Sequence, residues 1–313
     1  MIKKTLYFGN PAYLSFKDEQ LVIRQEETDK DGEKSEFRRT IPVEDIGLMV
    51  LDHVQITITQ VLLTKLLENN VALITSNHSH MPFGLFMPLE MNTVQHERFI
   101  DQLESSLPLR KQLWSQTIQQ KIRNQAAVLE TVTHEKHRNM YVMADDVKSG
   151  DSENKEAQAA AYYWKNLFTS KYPGFVRDRV GMQPNALFNY GYAILRGVIA
   201  RALVGSGLLP TLGLHHHSRY NAYCLADDIM EPYRPLVDLV VLDVIKTTEV
   251  RDDEITREQK IKLLSIPTID VNIDGKRSPL MVAASQTTSS LYKCFKGEQR
   301  KISYPILKTE IEI

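Results

Sequence analysis

Cysteine is scarce in this sequence, with only Cys224 and Cys294 among 313 residues. Two thiols so far apart cannot build the disulfide framework of a small secreted domain, nor the paired cysteine motif of a structural zinc site. Both classes are therefore excluded, and we predict that the two cysteines are buried free thiols.

Long apolar runs are also missing. No stretch approaches the roughly 18 consecutive apolar residues of a membrane-spanning helix. The N-terminal residues MIKKTLYFGNPAYL contain two lysines but no apolar segment behind them, which argues against a secretory signal. These absences predict a cytoplasmic protein that has no membrane partner.

The sequence has no excess of charge of either sign. Lys and Arg total 38 and Asp and Glu total 39, which gives a net charge of −1. A chain without a global positive field can bind nucleic acid only through a local basic patch. The hydrophobic share of 42% is that of an ordinary globular protein, and the length is sufficient for two domains.

The first part of the chain has the alternating apolar pattern of β-strands. One short helix interrupts it, beginning near Thr59 and ending at an Asn pair. The segment SHMPFGLFMPLEMN, with two prolines and one glycine, then breaks the periodicity. We therefore predict a β-rich domain over residues 1–84. Its strand-like runs are TLYFG, AYLSFKDEQLVIRQ with a polar turn at KDEQ, IGLMVLD and VALITS.

Residues 85–313 have mainly helical patterns. SLPLRKQLWSQTIQQKIRNQAAVLETV places Pro108 in a first helical turn, and PNALFNYGYAILRGVIARALVGSGLLP opens with proline and closes in glycines. AQAAAYYWKNLF and DDIMEPYRPLVDLVVLDVI predict two further helices. The expected fold class is α+β, with a small N-terminal β-rich domain followed by a larger, mainly α-helical domain.

Chemistry-bearing side chains lie close together in GLHHHSRYNAYCLADDIMEPYRPLVD, where three histidines precede a cluster of three acids, Asp227, Asp228 and Glu231. On a helix, Glu231 would share a face with Asp227 or Asp228, and two such acids can point at one ion. The aspartates could equally serve only to favour the positive end of a helix. Adjacent histidines cannot all face one way, so spacing alone leaves a metal site as one of two interpretations.

Glu156 opens the alanine-rich helix. A first-turn acid is explained by the helix dipole alone. The neighbouring alanines, however, permit close approach of another element, which could bring a second ligand up to this carboxylate. They are Ala157, Ala159, Ala160 and Ala161.

Three motifs in order give the chain a family resemblance. NKEAQAAAYYW, QPNALFNYGYAILRG and LLPTLGLHHHSRYNAYCLADDIMEPYRPLVD resemble the CRISPR-associated integrase/endonuclease of spacer acquisition, the larger of the two universal adaptation proteins, in its type II-like form. The resemblance covers nearly the whole chain, including the β-rich first domain and the helical second domain.

This resemblance implies a DNA endonuclease and integrase that inserts short foreign DNA fragments into a CRISPR array by 3′-hydroxyl transesterification. It implies that Glu156, His216 and Glu231 are catalytic and bind Mg²⁺ or Mn²⁺, the ions that suit two carboxylates and an imidazole. His215 stands where relatives usually carry an apolar or aromatic residue, and we assign the ligand role to His216.

Several partners are implied by the same resemblance, in a prokaryotic cytoplasm. They are double-stranded DNA as prespacer and repeat, a second copy of the chain joined through the β-rich domain, the smaller adaptation protein, other type II acquisition factors and the RNA-guided effector nuclease. Arg196, Arg219 and Arg234 are candidates for holding phosphates. Arg234 could instead be an internal partner of Glu231 and Asp238.

Two other functions remain open from the sequence. The same three ligands could activate water in a metal-dependent nuclease that cuts DNA or RNA without joining it. A DNA-binding scaffold without chemistry would keep the fold and drop the metal. A branched half-site DNA separates the integrase from the nuclease, because only an integrase runs strand transfer backwards on it.

Overall fold

In the described residues of the first of two units, Met1–Thr93, the main elements are two sheets and one α-helix. The computed structural model describes residues 3–28, 34–89, 92–168, 172, 174–178, 183–250 and 254–307, and its second unit is Val94–Ile313. The elements of the first unit are β1 (Lys4–Phe8), β2 (Ala12–Lys17), β3 (Gln20–Thr28), β4 (Lys34–Pro42), β5 (Ile46–Leu51), β6 (Ile56–Ile58), α1 (Gln60–Glu68), β7 (Ala72–Ser76) and β8 (Pro82–Phe86).

The strands pair as β1-β5-β7-β8 in one sheet and as β4-β3-β2-β6 in the other. In the second sheet β2 and β3 form an antiparallel hairpin in which Lys17 pairs with Gln20. Asp18 and Glu19 between them both have positive φ, as the two-residue hairpin turns that match strand twist require. The predicted polar turn at KDEQ is therefore confirmed.

The first core is built from the apolar faces of these strands and of α1. In β5, five successive residues are buried because this strand lies between two parallel neighbours. The predicted boundary at residue 84 falls inside β8, which pairs with β7, and the compact unit continues to Thr93. Backbone pairing, rather than proline and glycine content, decides how far this unit extends.

The second unit is mainly helical, so the predicted α+β fold class is confirmed. Its elements are α2 (Gln95–Leu103), α3 (Leu107–Thr133), α4 (Arg138–Asp145), α5 (Lys155–Leu167), α6 (Asn185–Gly205), α7 (Cys224–Met230), α8 (Arg234–Thr247), α9 (Arg257–Leu263), β9 (Asp270–Ile273), β10 (Lys276–Pro279) and α10 (Leu280–Phe295).

Local signals position the long helices of this unit. Ser106 caps α3 by accepting a hydrogen bond from the Leu109 amide, with Pro108 in the first turn as predicted. The apolar α6 is buried along most of its length and packs against α7 and α8. Both of these helices also contact α3. Cys224 and Cys294 are buried free thiols, as predicted.

The single helix predicted over DDIMEPYRPLVDLVVLDVI is wrong. The structure has α7 and α8 there, joined by one turn of 3₁₀ helix over Glu231–Tyr233. Pro232 and Pro235 lack the amide hydrogens that a continuous α-helix needs, so the hydrogen-bond pattern changes at this point. Glu231 therefore lies in a turn between two helices instead of on the face of one.

The C-terminal helix α10 packs on the helical core. On α10, the Thr288 hydroxyl donates to the Ala202 carbonyl of α6 at 3.1 Å and pairs with the Ser206 hydroxyl at 2.7 Å. In the part of the chain that the structure describes, no helix combines the length and apolar character that crossing a membrane requires.

Asn124 joins three parts of the second unit. Its buried amide nitrogen donates to the Pro232 carbonyl at 2.7 Å and to the Pro305 carbonyl at 3.0 Å, and its oxygen accepts from the Leu307 amide at 3.1 Å. Because Pro232 follows Glu231 directly, the Asn124 amide also fixes the position of the 3₁₀ turn relative to α3.

We predict that Asn124→Ala lowers the free energy of unfolding by about 3 kcal/mol, because it leaves two buried carbonyls without donors. Urea denaturation measures the change. The control is Gln120→Ala on the same helix, which removes only one of the donors to Asn124 and should cost less than about 1 kcal/mol. Equal effects of the two variants would contradict this role for Asn124.

Candidate functional site

A cleft of about 770 Å³ opens within the second unit. Glu156 from α5, His216 from the loop before α7, and Glu231 from the 3₁₀ turn all line it. Three residues that are far apart in sequence are thus brought to one cavity by the packing of α3, α5, α6 and α7. The remaining lining residues are Lys121, Arg177, Asn189, Tyr192, Ala193, Arg196, Ser218, Tyr220, Asn221, Asp227, Met230 and Arg234.

The histidine loop is wrapped around the buried carboxylate of Asp228. This side chain accepts a hydrogen bond from the His215 amide at 2.9 Å and another from Nδ1 of His216. A side chain at Gly213 would collide with the His216 carbonyl oxygen, so the loop can close on Asp228 only with glycine there. Asp228 thus holds the His216 ring from one side and leaves Nε2 as its free nitrogen.

The hydrogen bond to Asp228 raises the pKa of His216. Partial burial opposes this rise, and the negative charges of Asp228, Glu231 and Glu156 add to it. Because the His216 side chain is still 47% exposed, its free nitrogen is accessible to a ligand in the cleft.

Trp114 contacts both of the adjacent histidines His215 and His216, in two different geometries. The ring of His215 stacks on the buried indole with centroids 4.5 Å apart and planes 1° from parallel, whereas His216 meets the indole edge-on at 5.7 Å. His216 lines the cleft and His215 does not belong to its described lining. His216 is therefore the histidine of this pair that lies where a ligand of the cleft must lie. No local motif indicated the contacts of Trp114.

Lys121 lies between the two predicted carboxylate ligands. Its Nζ is 2.6 Å from Oε1 of Glu156 and 2.6 Å from Oε2 of Glu231. Burial disfavours the charged ammonium, but the two carboxylates outweigh this effect and raise the pKa of Lys121. Sequence analysis missed this residue because a lone lysine in a long helix has no local signature.

Glu231 is held as a buried anion by two cations. The Nε of Arg234 lies 2.9 Å from its Oε1, opposite Lys121. Burial favours the neutral acid, but the charges of Arg234 and Lys121 prevail and lower the pKa of Glu231. Arg234 is therefore an internal ion-pair partner of Glu231, as one of the two sequence interpretations had it, and it also lines the cleft.

The predicted arginines have different surroundings. Arg196 makes a two-point contact with Asp227, at 2.6 and 3.1 Å, in the cleft. Arg219 lies over the exposed ring of Tyr220, 4.7 Å from its centroid, and is not among the described residues that line the cleft. Arg177, which sequence analysis missed, lines the cleft and lies over the Tyr192 ring at 5.2 Å.

A buried acid supports the cleft from behind. Asp238 accepts hydrogen bonds from the hydroxyls of Tyr163 at 2.9 Å and Tyr192 at 2.5 Å. Burial raises the pKa of Asp238 to about 6, although both hydroxyls and the charges of Arg177 and Arg234 act in the opposite direction. The acid orients Tyr192, over whose ring Arg234 lies at 4.7 Å.

The donor set fits Mg²⁺ or Mn²⁺ in kind, with two carboxylates and one imidazole nitrogen fixed from behind. Across the described ranges, no group of three or more His, Cys, Asp or Glu side chains is already arranged to hold a metal ion. Within those ranges, Oε2 of Glu231 is buried without a well-directed hydrogen bond, although the Lys121 ammonium is close. The Glu231 carboxylate is therefore paired with a cation but is not saturated by hydrogen-bond donors.

Comparison with known proteins gives one family. Residues 6–270 match the family model described as CRISPR associated protein Cas1. The chain is 35% identical over 291 residues to the CRISPR-associated endonuclease Cas1 of Neisseria meningitidis serogroup C (strain 8013), which covers 93% of this chain and 91% of that protein. The family resemblance found in the sequence is confirmed.

Two solved structures share the fold. A casposase bound to integration product has a TM-score of 0.76 at 20% identity, covering 100% of this chain and 95% of the casposase chain. A chain of a Cas6-RT-Cas1–Cas2 complex has a TM-score of 0.70 at 19% identity, covering 95% of this chain and 35% of that chain. At these identities the likeness establishes the fold alone.

Asp238 gives a prediction for pH dependence. Because its pKa of about 6 in the folded protein exceeds the usual value near 4, the folded state binds the proton more tightly than the unfolded chain. The stabilisation relative to Asp238→Asn is therefore largest below about pH 4 and falls by about 3 kcal/mol as pH rises to 7. Urea denaturation at pH 4, 5, 6 and 7 tests this.

Asp243→Asn, which changes an exposed acid on the same helix, is the matched control and should show no such trend. A stability difference between wild type and Asp238→Asn that stays constant from pH 4 to pH 7 would contradict the raised pKa.

Proposed function

Because this chain belongs to the Cas1 family of CRISPR-associated proteins, we propose that it is a DNA endonuclease and integrase that inserts short foreign DNA fragments into a CRISPR array. The observation that carries this proposal is the convergence of Glu156, His216 and Glu231 on one cleft. The relative from Neisseria meningitidis is named an endonuclease, and the casposase of the same fold was solved with an integration product.

The proposed reaction is a transesterification at phosphorus. The 3′-hydroxyl oxygen of the incoming fragment forms a bond to the phosphorus at the edge of a repeat. The bond from that phosphorus to the 3′ oxygen of the adjoining nucleotide breaks. The attacking hydroxyl gives up its proton, and the leaving oxygen takes up a proton. Positioning two DNA ends is the larger part of such a reaction, so the protein must fix the phosphate and its own ligands rigidly.

Glu156, Glu231 and Nε2 of His216 would hold Mg²⁺ or Mn²⁺. When bound, the ion polarises the scissile phosphate and stabilises the charge that develops on its oxygens. Asp228 keeps the His216 ring in the orientation that directs Nε2 to the cleft. Asn124 and Arg234 together hold the Glu231 turn in place, the first through the Pro232 carbonyl and the second through the carboxylate.

DNA is the proposed substrate, and the basic side chains of the cleft are the proposed phosphate contacts. Arg177, Arg196 and Arg234 line the cleft and form this set. Arg219 lies over the exposed ring of Tyr220 in the histidine loop. With a net charge of −1, these local cations must supply the attraction, so DNA binding should weaken steeply with added salt.

The smaller adaptation protein and a second copy of this chain are the proposed protein partners. The complex named Cas6-RT-Cas1–Cas2 contains a chain of the same fold, which supports an assembly of this kind. In the first unit, the edge strand β8 exposes 83% of Phe83 and 49% of Phe86. An exposed apolar sheet edge is a surface that a second copy would cover. The type II acquisition factors and the effector nuclease remain proposed partners on the family resemblance alone.

Strand transfer tests the proposal directly. We expect the purified protein, with its small partner and Mn²⁺ or Mg²⁺, to join a 3′-hydroxyl duplex to a supercoiled plasmid that carries a repeat. Joining should fall by roughly 100-fold or more in each of the variants Glu156→Gln, His216→Ala and Glu231→Gln, because each substitution removes one proposed ligand of the metal ion. Gel analysis of nicked and joined products measures the reaction.

His217→Ala is the matched control, because His217 is an exposed neighbour in the same loop. This substitution should leave joining unchanged. A branched half-site DNA adds a second readout, since an integrase resolves it by reverse strand transfer. Hydrolysis of both DNAs without joining would favour the metal-dependent nuclease. Full activity of all three site variants would rule out the proposed ligands.

A further inference from the structure

Lys121 is a buried cation to which the proposed reaction gives no role. It projects from the middle of α3, and its side chain is 11% exposed. Its ammonium contacts one carboxylate from α5 and one from the 3₁₀ turn, each at 2.6 Å. A buried ammonium is costly unless it is paired, so the two glutamates and Lys121 depend on one another for charge compensation.

The charges of this cluster are balanced without any metal. Glu156 and Glu231 contribute two negative charges, and Lys121 and Arg234 contribute two positive charges. A divalent cation added to this cluster would leave an excess of positive charge. The ion and the ammonium would also require the same place, because oxygen ligands of Mg²⁺ lie at about 2.0–2.1 Å and Nζ is already 2.6 Å from one oxygen of each carboxylate.

We propose that Lys121 is a built-in counter-ion, which holds Glu156 and Glu231 together in the metal-free protein and competes with the divalent cation for the same carboxylate oxygens. The proposal rests on the proposed function in that Glu156 and Glu231 are the metal ligands. Lysine suits this role because its ammonium is a point charge on a flexible four-carbon stem, which can move aside without leaving the cleft. The effect is to set the metal concentration at which the site fills.

A purely structural lysine would behave in the opposite way. If Lys121 only fixed the geometry of the glutamates, its removal would disorder them and weaken metal binding. If it competes with the metal, its removal leaves two uncompensated carboxylates, which repel each other and attract a cation more strongly. The sign of the change in metal affinity therefore separates the two roles.

The test is calorimetric titration of the DNA-free protein with Mn²⁺ at neutral pH. Lys121→Met retains an unbranched side chain as long as the lysine stem and removes the charged ammonium. It should lower the Kd for Mn²⁺ by about tenfold or more, the factor expected for losing one close charge pair. Lys121→Arg retains the charge and should bind no more tightly than wild type. Lys111→Met, an exposed position on the same helix, should leave the Kd unchanged.

Thermal unfolding gives a second measurement that does not depend on activity. Without metal, Lys121→Met should unfold at a lower temperature than wild type, and Mn²⁺ should raise its midpoint by more than it raises that of wild type. If this variant folds only with metal, the Mn²⁺ concentration that restores its circular dichroism is an upper bound on its Kd, because part of the binding free energy folds the chain. A concentration below the wild-type Kd then supports the counter-ion role.

Suppose that Glu156→Gln and Glu231→Gln each abolish Mn²⁺ binding but Lys121→Met binds Mn²⁺ no more tightly than wild type. This result would overturn the counter-ion role and leave the metal site intact. Mn²⁺ binding that neither carboxylate variant weakens would overturn the metal site of the proposed function and the counter-ion role with it.

Discussion

Charge compensation in a nearly closed space is the constraint on which the site depends. Glu231 is 4% exposed, and an ionised carboxylate in such a place needs cations at short range. Lys121 and Arg234 supply them from opposite sides. Because Lys121 also contacts Glu156, one ammonium ties together α3, α5 and the turn between α7 and α8. The position of each carboxylate is therefore a consequence of helix packing as much as of its own backbone.

A second buried acid, Asp228, imposes the same requirement on the neighbouring loop. Its carboxylate is satisfied by a backbone amide of the histidine loop and by the ring of His216. One hydrogen bond thus serves both structure and chemistry, since the group that neutralises the buried charge is the one whose free nitrogen faces the cleft. Trp114 completes the arrangement by stacking on His215, which orients that ring roughly perpendicular to the ring of His216.

Local spacing predicted the acids of this region only in part. The D-x-x-E step suggested that Glu231 and an aspartate share a helical face, but the prolines end α7 at Met230 and place Glu231 in a 3₁₀ turn. Each acid then has a partner of its own: Arg196 for Asp227, His216 for Asp228, and Lys121 with Arg234 for Glu231. The ordered motifs of the family resemblance, rather than the spacing within any one of them, indicated which residues meet at the cleft.

The sequence by itself determined the strands β1, β2, β3, β5 and β7, the helices α1, α3, α5 and α6, the first-turn proline of α3, the turn at Asp18 and Glu19, and the family, because these depend on near neighbours in the chain or on motifs in order. Only the tertiary structure decided which histidine lines the cleft, that Lys121 lies between the two glutamates, and that Asp238 is buried behind Tyr192. Those contacts join residues 35 to 110 positions apart, and a side chain's partners at such separations are set by how the helices pack, which no local pattern encodes.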